Sequence, residues 1–352
     1  MMLGTLFLLS SGLFLGWSLG SNDAANIFGT AVGTRMIRFK TAAIISSIFV
    51  IIGATVSGAG ASHTLGKLGE VTAMSGAFTV ALGAALTVLW MTHFKLPVST
   101  SQAVVGSIIG WNFFSKSPAN WESLSTIFGA WIFSPVLSAV FAFIFFHIIK
   151  LIIDNSRIHL VRLDSLTRWG LIIVGAFGAY SLGANNIGNV MGVFINTSPF
   201  HDITIGNLLK LSSVQQLFLL GGIAISVGIF TYSKRVMLTV GNNIFKLSPL
   251  TAFVAVLSSS IVLFLFASQS LKTFLVSHGL PSFPLVPVSS SQAIVGAIIG
   301  ISLAKNLRNT NFRVLGKISL GWITTPIGAA LATYILLFFM QNVFGQTVFT
   351  VG

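Results

Sequence analysis

"SLGSNDAANIFG", residues 18–29, closes the first apolar run of the chain and returns as "SLGANNIGNVMG" at residues 181–192. Both copies keep Ser-Leu-Gly and a pair of asparagines at one spacing, Asn22 and Asn26 in the first, Asn185 and Asn189 in the second. One position changes chemistry: Asp23 in the first copy is Asn186 in the second. Two more matches follow in the same order. "LPVSTSQAVVGSIIGW" (96–111) pairs with "VPVSSSQAIVGAIIGI" (286–301), and "WIFSP" (131–135) with "WITTP" (322–326). Chance yields one such coincidence now and then, but not three in register. The chain therefore reads as two related halves, residues 1–153 and 169–352, joined by a linker at 154–168.

Composition fixes the medium. Hydrophobic residues make up 54% of the 352 and charged residues 7%, with a mean hydropathy of +0.93. A water-soluble domain carries about 25% charged residues, so most of this surface faces lipid. The expected fold class is an all-α polytopic membrane protein, since the apolar runs are continuous rather than the short alternating segments of a barrel. Lys and Arg number 19 against 6 acids, a formal charge of +13. They sit in short loops between apolar runs, which points to membrane topology and not to nucleic acid. Cysteine is absent, which excludes disulfides, thiolate metal sites and cysteine nucleophiles. No Lys or Arg precedes the apolar run at 2–20, so it reads as a mature helix rather than a signal peptide.

Runs long enough to cross about 30 Å of hydrocarbon fall at 2–20, 41–60, 72–94, 125–153, 169–187, 213–232, 249–271 and 318–341. Two shorter runs rich in Ser and Gly, 97–112 and 287–304, bring the expectation to about ten spanning segments, some broken or re-entrant. Basic groups at Arg35/Arg38/Lys40, Lys95, Lys150/Arg157/Arg162/Arg168, Lys234/Arg235/Lys246 and Lys305/Arg308/Arg313/Lys317 then fall on one side. Lys67, Lys116, Lys210 and Lys272, with Glu70, Glu122 and Asp202, fall on the other. The positive-inside rule puts the linker in the cytoplasm and both termini outside, in a multi-pass protein of the cell membrane. About five spans per half is an odd number, so the second half enters from the opposite side. Such an inverted-topology repeat is a common architecture of secondary transporters and brings matched motifs together near the midplane. The second half is longer across 193–285, which breaks strict symmetry there.

The motifs carry the chemistry. A charge at bilayer depth costs at least a few kcal/mol, and the simplest partner for Asp23 is a cation. Asn and Asp oxygens are hard ligands suited to hard ions, and Gly20 and Gly29 are expected to let the helix unwind and free carbonyls beside them. The bland reading has Asp23 capping a helix at the membrane surface, which leaves the repeat at 185–189 unexplained. In the second motif, hydroxyls directly behind a proline suit the first turn of a helix. Helix N-termini present unsatisfied N–H groups and partial positive charge, and so form anion sites. Two such half-helix ends would converge on one oxyanion, with Ser99, Thr100, Ser101, Ser289, Ser290 and Ser291 donating to it. The competing reading is that these hydroxyls only pack small and bond between helices. Pro135 and Pro326 are expected to kink long helices, and Trp131 and Trp322 to sit at a membrane interface. The histidines at 63, 93, 147, 159, 201 and 278 show no ligand spacing.

These residues resemble the PiT family of inorganic phosphate transporters, whose hallmark is a Gly-x-Asn-Asp-x-x-Asn signature in each half. "GSNDAANIFGTAVG" matches closely, while "GANNIGNVMG" departs at Asn186, where the family usually has Asp. Gln102 and Gln292 stand where many members carry His. The resemblance covers essentially the whole chain. It implies a phosphate transporter driven by a Na⁺ or H⁺ gradient, a homodimer in membrane lipid, with no cofactor beyond the coupling ion. It puts phosphate on the six hydroxyls with Asn26 and Asn189. The coupling cation falls to Asn22, Asp23, Asn185, Asn186, Gln102 and Gln292, and Asp23 is the Na⁺ ligand if Na⁺ is the ion.

Some relatives in the family resemble sulfate permeases, but phosphate near neutral pH carries a P–OH donor and sulfate none, so a retained carboxylate favours phosphate over sulfate. Sodium needs only oxygens, whereas a proton needs a titrating group, for which Asp23 is the candidate. Alternating access by a Na⁺–phosphate symporter is the expected function, with H⁺ coupling, sulfate transport and a passive anion channel as alternatives. An intramembrane hydrolase needs a base beside its serine, and neither Ser triplet has a His or acid in its motif, so no enzyme is expected.

Overall fold

The structure, a computed structural model, describes residues 2–93, 98–205, 209–239, 247–305 and 312–350. Lys95, Lys246 and Arg308 of the basic loops, and Leu96 and Pro97 of the first Pro-Val-Ser motif, lie outside the described residues. The first half holds α1 (Met2–Gly33), α2 (Phe39–Ser57), α3 (Ala59–Leu68), α4 (Met74–His93), α5 (Thr100–Ser115) and α6 (Trp121–Asn155). The second holds α7 (Leu160–Met191), α8 (Ser213–Thr231), α9 (Ser233–Thr239), α10 (Pro249–Ala267), α11 (Gln269–Ser277), α12 (Ser290–Ala304) and α13 (Phe312–Asn342). A short antiparallel hairpin, β1 (Ile203–Ile205) with β2 (Leu209–Leu211), pairs Thr204 with Lys210 between α7 and α8. The hairpin and α11 occupy the stretch in which the second half is longer. Because α7 begins at Leu160, the connection from α6 is residues 156–159.

Among the described residues the fold is all-helical apart from that hairpin. Seven helical stretches, in α2, α4, α6, α7, α8, α10 and α13, are long and apolar enough to cross a membrane. At 1.5 Å per residue the 32 residues of α1 reach about 48 Å, also enough. The 16 residues of α5 and 15 of α12 reach only about 24 and 22 Å. Both short helices start deep in the protein, behind Ser99 and Ser289, each 2% exposed. Ten segments result, of which α5 and α12 are the broken ones.

Helix pairing crosses between the halves, and it does so twice over. α1 packs on α8 as α7 packs on α2, and α5 packs on α13 as α12 packs on α6; within each half, α1 meets α4 as α7 meets α10. Glycines set these approaches. A Cβ on Gly20 would lie 1.9 Å from the Ile225 carbonyl oxygen, and one on Gly183, its repeat partner, 2.2 Å from that of Val50. Gly228 and Gly53 answer from the facing helices, against the carbonyls of Trp17 and Tyr180. Small residues are what let membrane helices come this close.

Gly20 is thus a packing surface, which corrects the expectation that Gly20 and Gly29 unwind the backbone. α1 runs unbroken from Met2 to Gly33 and α7 from Leu160 to Met191, so both Asn-containing motifs sit on continuous helices. The chain breaks instead just before Thr100 and Ser290. The third motif also packs across the halves: a Cβ on Gly296 would meet the Pro135 oxygen at 2.1 Å, and one on Gly106 the Pro326 oxygen at 2.2 Å. Each proline lies inside its helix and withholds a hydrogen bond from the carbonyl four residues back, which belongs to Trp131 and Trp322. Trp131 is buried, not at a membrane interface as its type suggested. α6 is nevertheless an outer helix, 11% buried over its most apolar window, against 67% for α7.

Candidate functional site

Ser99 and Ser289 are the N-caps of α5 and α12. Each has extended backbone, and its hydroxyl oxygen accepts from the N–H three residues on, Gln102 at 3.3 Å and Gln292 at 3.2 Å. This is ordinary serine capping, and it leaves both hydroxyl protons free to donate. The two capped ends meet. Ser101 Oγ donates to the Val288 carbonyl at 3.2 Å, and Ser291 Oγ to the Val98 carbonyl at 3.0 Å.

The long helices reach this junction crosswise. Asn26 on α1 donates from Nδ2 to the hydroxyls of Ser290 and Ser291 on α12, at 3.2 and 3.3 Å. Asn189 on α7 donates to Ser101 on α5 at 2.8 Å. The first motif of each half therefore holds the second motif of the other. Ser290 in turn donates to Asp23 Oδ2 at 2.9 Å, and Asn22 Nδ2 to Asp23 Oδ1 at 3.0 Å. Opposite, Asn185 Oδ1 accepts from the Val288 N–H at 3.2 Å, and Asn189 donates to Asn186 Oδ1 at 2.9 Å. Asn186 Nδ2 turns back to the Leu182 carbonyl at 3.2 Å.

Asp23 is 1% exposed, which removes the reading of it as a cap at the membrane surface. Among the described residues the one ion pair is Arg168 with Asp164, out on an exposed helix face. No lysine or arginine there neutralises Asp23. A buried charge without a partner is strongly destabilising, which makes this carboxylate the candidate position for a cation brought from outside.

Of the buried side-chain polar atoms that lack a partner among the described residues, five belong to the motifs that meet here: Gln102 Oε1, Gln292 Oε1, Asn189 Oδ1, Asn185 Nδ2 and Thr100 Oγ1. Buried polar groups are overwhelmingly bonded in native proteins, so unpartnered atoms on five motif residues make this junction the candidate ligand site. Three are carbonyl-type oxygens that suit a hard cation. Asn185 Nδ2 is a donor only, and Thr100 offers a hydroxyl; those suit an oxyanion beside a cation. No three His, Asp or Glu side chains converge as a metal cluster among the described residues.

All fourteen positions singled out in the sequence lie at this junction or on its capping turns. The sequence did not reveal Val98 and Val288, which act through main-chain groups. A valine carries no sign of that in its side chain, and only the pairing of the two helix ends exposes it.

A carboxylate, amide oxygens and two helix ends, buried at the crossing of membrane-spanning helices from both halves, define the class: a polytopic membrane transport protein. A model of the phosphate transporter family matches residues 19–164 and again 155–333, and the chain belongs to that family. It is accordingly an integral membrane transporter and not an enzyme. A candidate phosphate permease from Methanocaldococcus jannaschii is 29% identical over 92% of this chain and 93% of its own. One from Pyrococcus abyssi is 24% identical over 94% and 96%. Among solved structures, one described as the sodium-dependent phosphate transporter aligns with a TM-score of 0.75 at 22% identity, covering 96% of this chain and 99% of that chain.

Proposed function

We propose that the chain is a symporter that imports inorganic phosphate with Na⁺ by alternating access. The observation that carries this is the crosswise junction itself, in which Asp23 on α1 is bonded through Ser290 to the tip of α12. A coupling cation on Asp23, Asn22, Gln102 and Gln292, joined by oxygens of Asn185 and Asn186, satisfies the buried charge. Phosphate docks beside it against Ser99, Thr100, Ser101, Ser289, Ser290, Ser291, Asn26 and Asn189, with the Asn185 amide as a further donor. The P–OH of phosphate finds an acceptor in Asp23, which sulfate cannot use. Sodium is favoured because amide oxygens bind it without titrating, and the similar solved protein is described as sodium-dependent.

In this reading residues 1–153 and 169–352 are inverted repeats, both termini lie outside the cell membrane, and two copies associate in lipid. Cation binding comes first and neutralises Asp23; the anion follows; one helix bundle then rocks against the other. Purified protein in liposomes is expected to take up radiolabelled phosphate under an inward Na⁺ gradient, with arsenate competing and sulfate not. Uptake under a pH gradient alone assigns H⁺ as the coupling ion, and competition by sulfate assigns the broader anion class. Currents far above carrier turnover that survive Asp23→Asn mean a channel.

A further inference from the structure

A second feature lies outside the crossing. A cavity of about 630 Å³ opens between the start of α6, the first turn of α11, helix α3 and the extended segment that leads into α12. Its charged lining residues are Lys67, Lys272 and Glu122. They come from three separate helices, α3, α11 and α6, all at ends assigned by the positive-inside pattern to the face away from the basic linker. Neither lysine is in an ion pair among the described residues, where Arg168–Asp164 is the one such contact. The charged lining of the cavity thus comprises two cations and one acid, a net positive charge.

Its floor connects to the junction. Leu285 and Val286 line it, and two residues further on Val288 bonds Asn185 and receives Ser101. At about 3.3 Å per extended residue, the floor is roughly 7 Å of chain from the buried site. The Thr64 hydroxyl on α3 donates to the Leu285 carbonyl at 2.6 Å and ties the floor to the far wall.

We propose that this cavity is the external access vestibule, an oxyanion-capturing site in which Lys67 and Lys272 concentrate phosphate above the Thr64–Leu285 contact before it reaches the junction. The proposal rests on the transport reading and names where the substrate enters. Charged clefts raise local substrate concentration and capture rate by tenfold or more and lose that advantage in salt. Glu122 opposes the anion and favours its co-transported cation.

The test uses full-length protein in liposomes, with inorganic phosphate as the probe. The double variant Lys67→Gln/Lys272→Gln is expected to raise KM for phosphate about tenfold at low ionic strength, with kcat unchanged and the difference vanishing in high salt. Glu122→Gln is expected to lower KM. Because the chain has no cysteine, Gln269→Cys at the cavity wall and Arg157→Cys between α6 and α7 can each be labelled with an impermeant thiol reagent. They are expected to react from opposite sides, with phosphate protecting only the former. Equal KM values at low salt, or labelling of both positions from one side, overturn the proposal. Wild-type protein that takes up no phosphate under any gradient overturns the transport reading instead, and the labelling arm still decides whether the cavity faces outside.

Discussion

The two crossings of the junction share a backbone plan and differ in how their side chains are satisfied. Around Asp23 the donors are committed: Asn22 and Ser290 to its carboxylate, Asn26 to the two serine hydroxyls. Around Asn186 the same positions leave groups idle. Thr100, the counterpart of Ser290, has no partner, and neither Asn185 Nδ2 nor Asn189 Oδ1 has one. The cause is electrostatic. A carboxylate is an acceptor on both oxygens and draws donors inward, whereas an amide is half donor, and Asn186 spends that half on Leu182. The difference of one acid draws donors onto Asp23, the proposed cation pole, and leaves Thr100 Oγ1, Asn185 Nδ2 and Asn189 Oδ1 without partners on the other side.

The sharpest way to break this comparison is Asp23→Asn, which makes both sides alike. Na⁺-coupled phosphate uptake is expected to fall to background. Folding is expected to survive, because an asparagine already occupies the equivalent place in the second half; size-exclusion profile and Tm in detergent check that. A coupled, active mutant removes the basis for a cation pole. Next in size is a control that should not discriminate. Gly20→Val and Gly183→Val each drive a side chain into a facing carbonyl, and overpacking of this kind costs about 1–3 kcal/mol or more. The two should lower Tm to similar degrees, and a large inequality means the halves are not packed as repeats.

Asn186→Asp runs the comparison the other way. A second carboxylate gives Thr100 an acceptor and the site a second unneutralised charge, so transport should demand more cation. The expected outcome is a steeper Na⁺ dependence of uptake, read as a higher Hill coefficient, with phosphate KM measured at saturating Na⁺ as the companion. An unchanged Hill coefficient means that the second position never contacts the coupling ion.

The sequence made the motifs legible, and with them the membrane class, the ten segments and the chemical types in the site. Those follow from composition, from apolar run length and from residues whose side chains announce their use, such as Asp23. It did not reveal who holds whom. A repeat says that Asn26 and Asn189 are equivalent, but nothing in their spacing says that each grips the serine motif of the other half. The glycines misled for a related reason. Glycine serves both flexible and close-packed backbone, and choosing between them for Gly20 requires Ile225, more than two hundred residues away. The hairpin at 203–211 and helix α11 were missed because three-residue strands and a nine-residue polar helix leave too short a pattern to read.

The finest test sets Ser290→Ala against Thr100→Val, two changes that each remove one hydroxyl at equivalent positions. Ser290 bonds a charged group, an interaction worth about 1.5–3 kcal/mol, so its loss should weaken Na⁺ activation by about tenfold or more and also lower Tm. Thr100 bonds nothing in the protein, so Val there relieves a buried, unpaired hydroxyl and Tm should hold or rise. Na⁺ activation should stay unchanged as well. What separates a ligand from an accident of packing is then the phosphate KM of Thr100→Val. A rise of about threefold or more, the worth of one neutral hydrogen bond, means that the hydroxyl is kept bare for the anion. An unchanged KM means that the open positions of the second crossing have no part in holding the substrate.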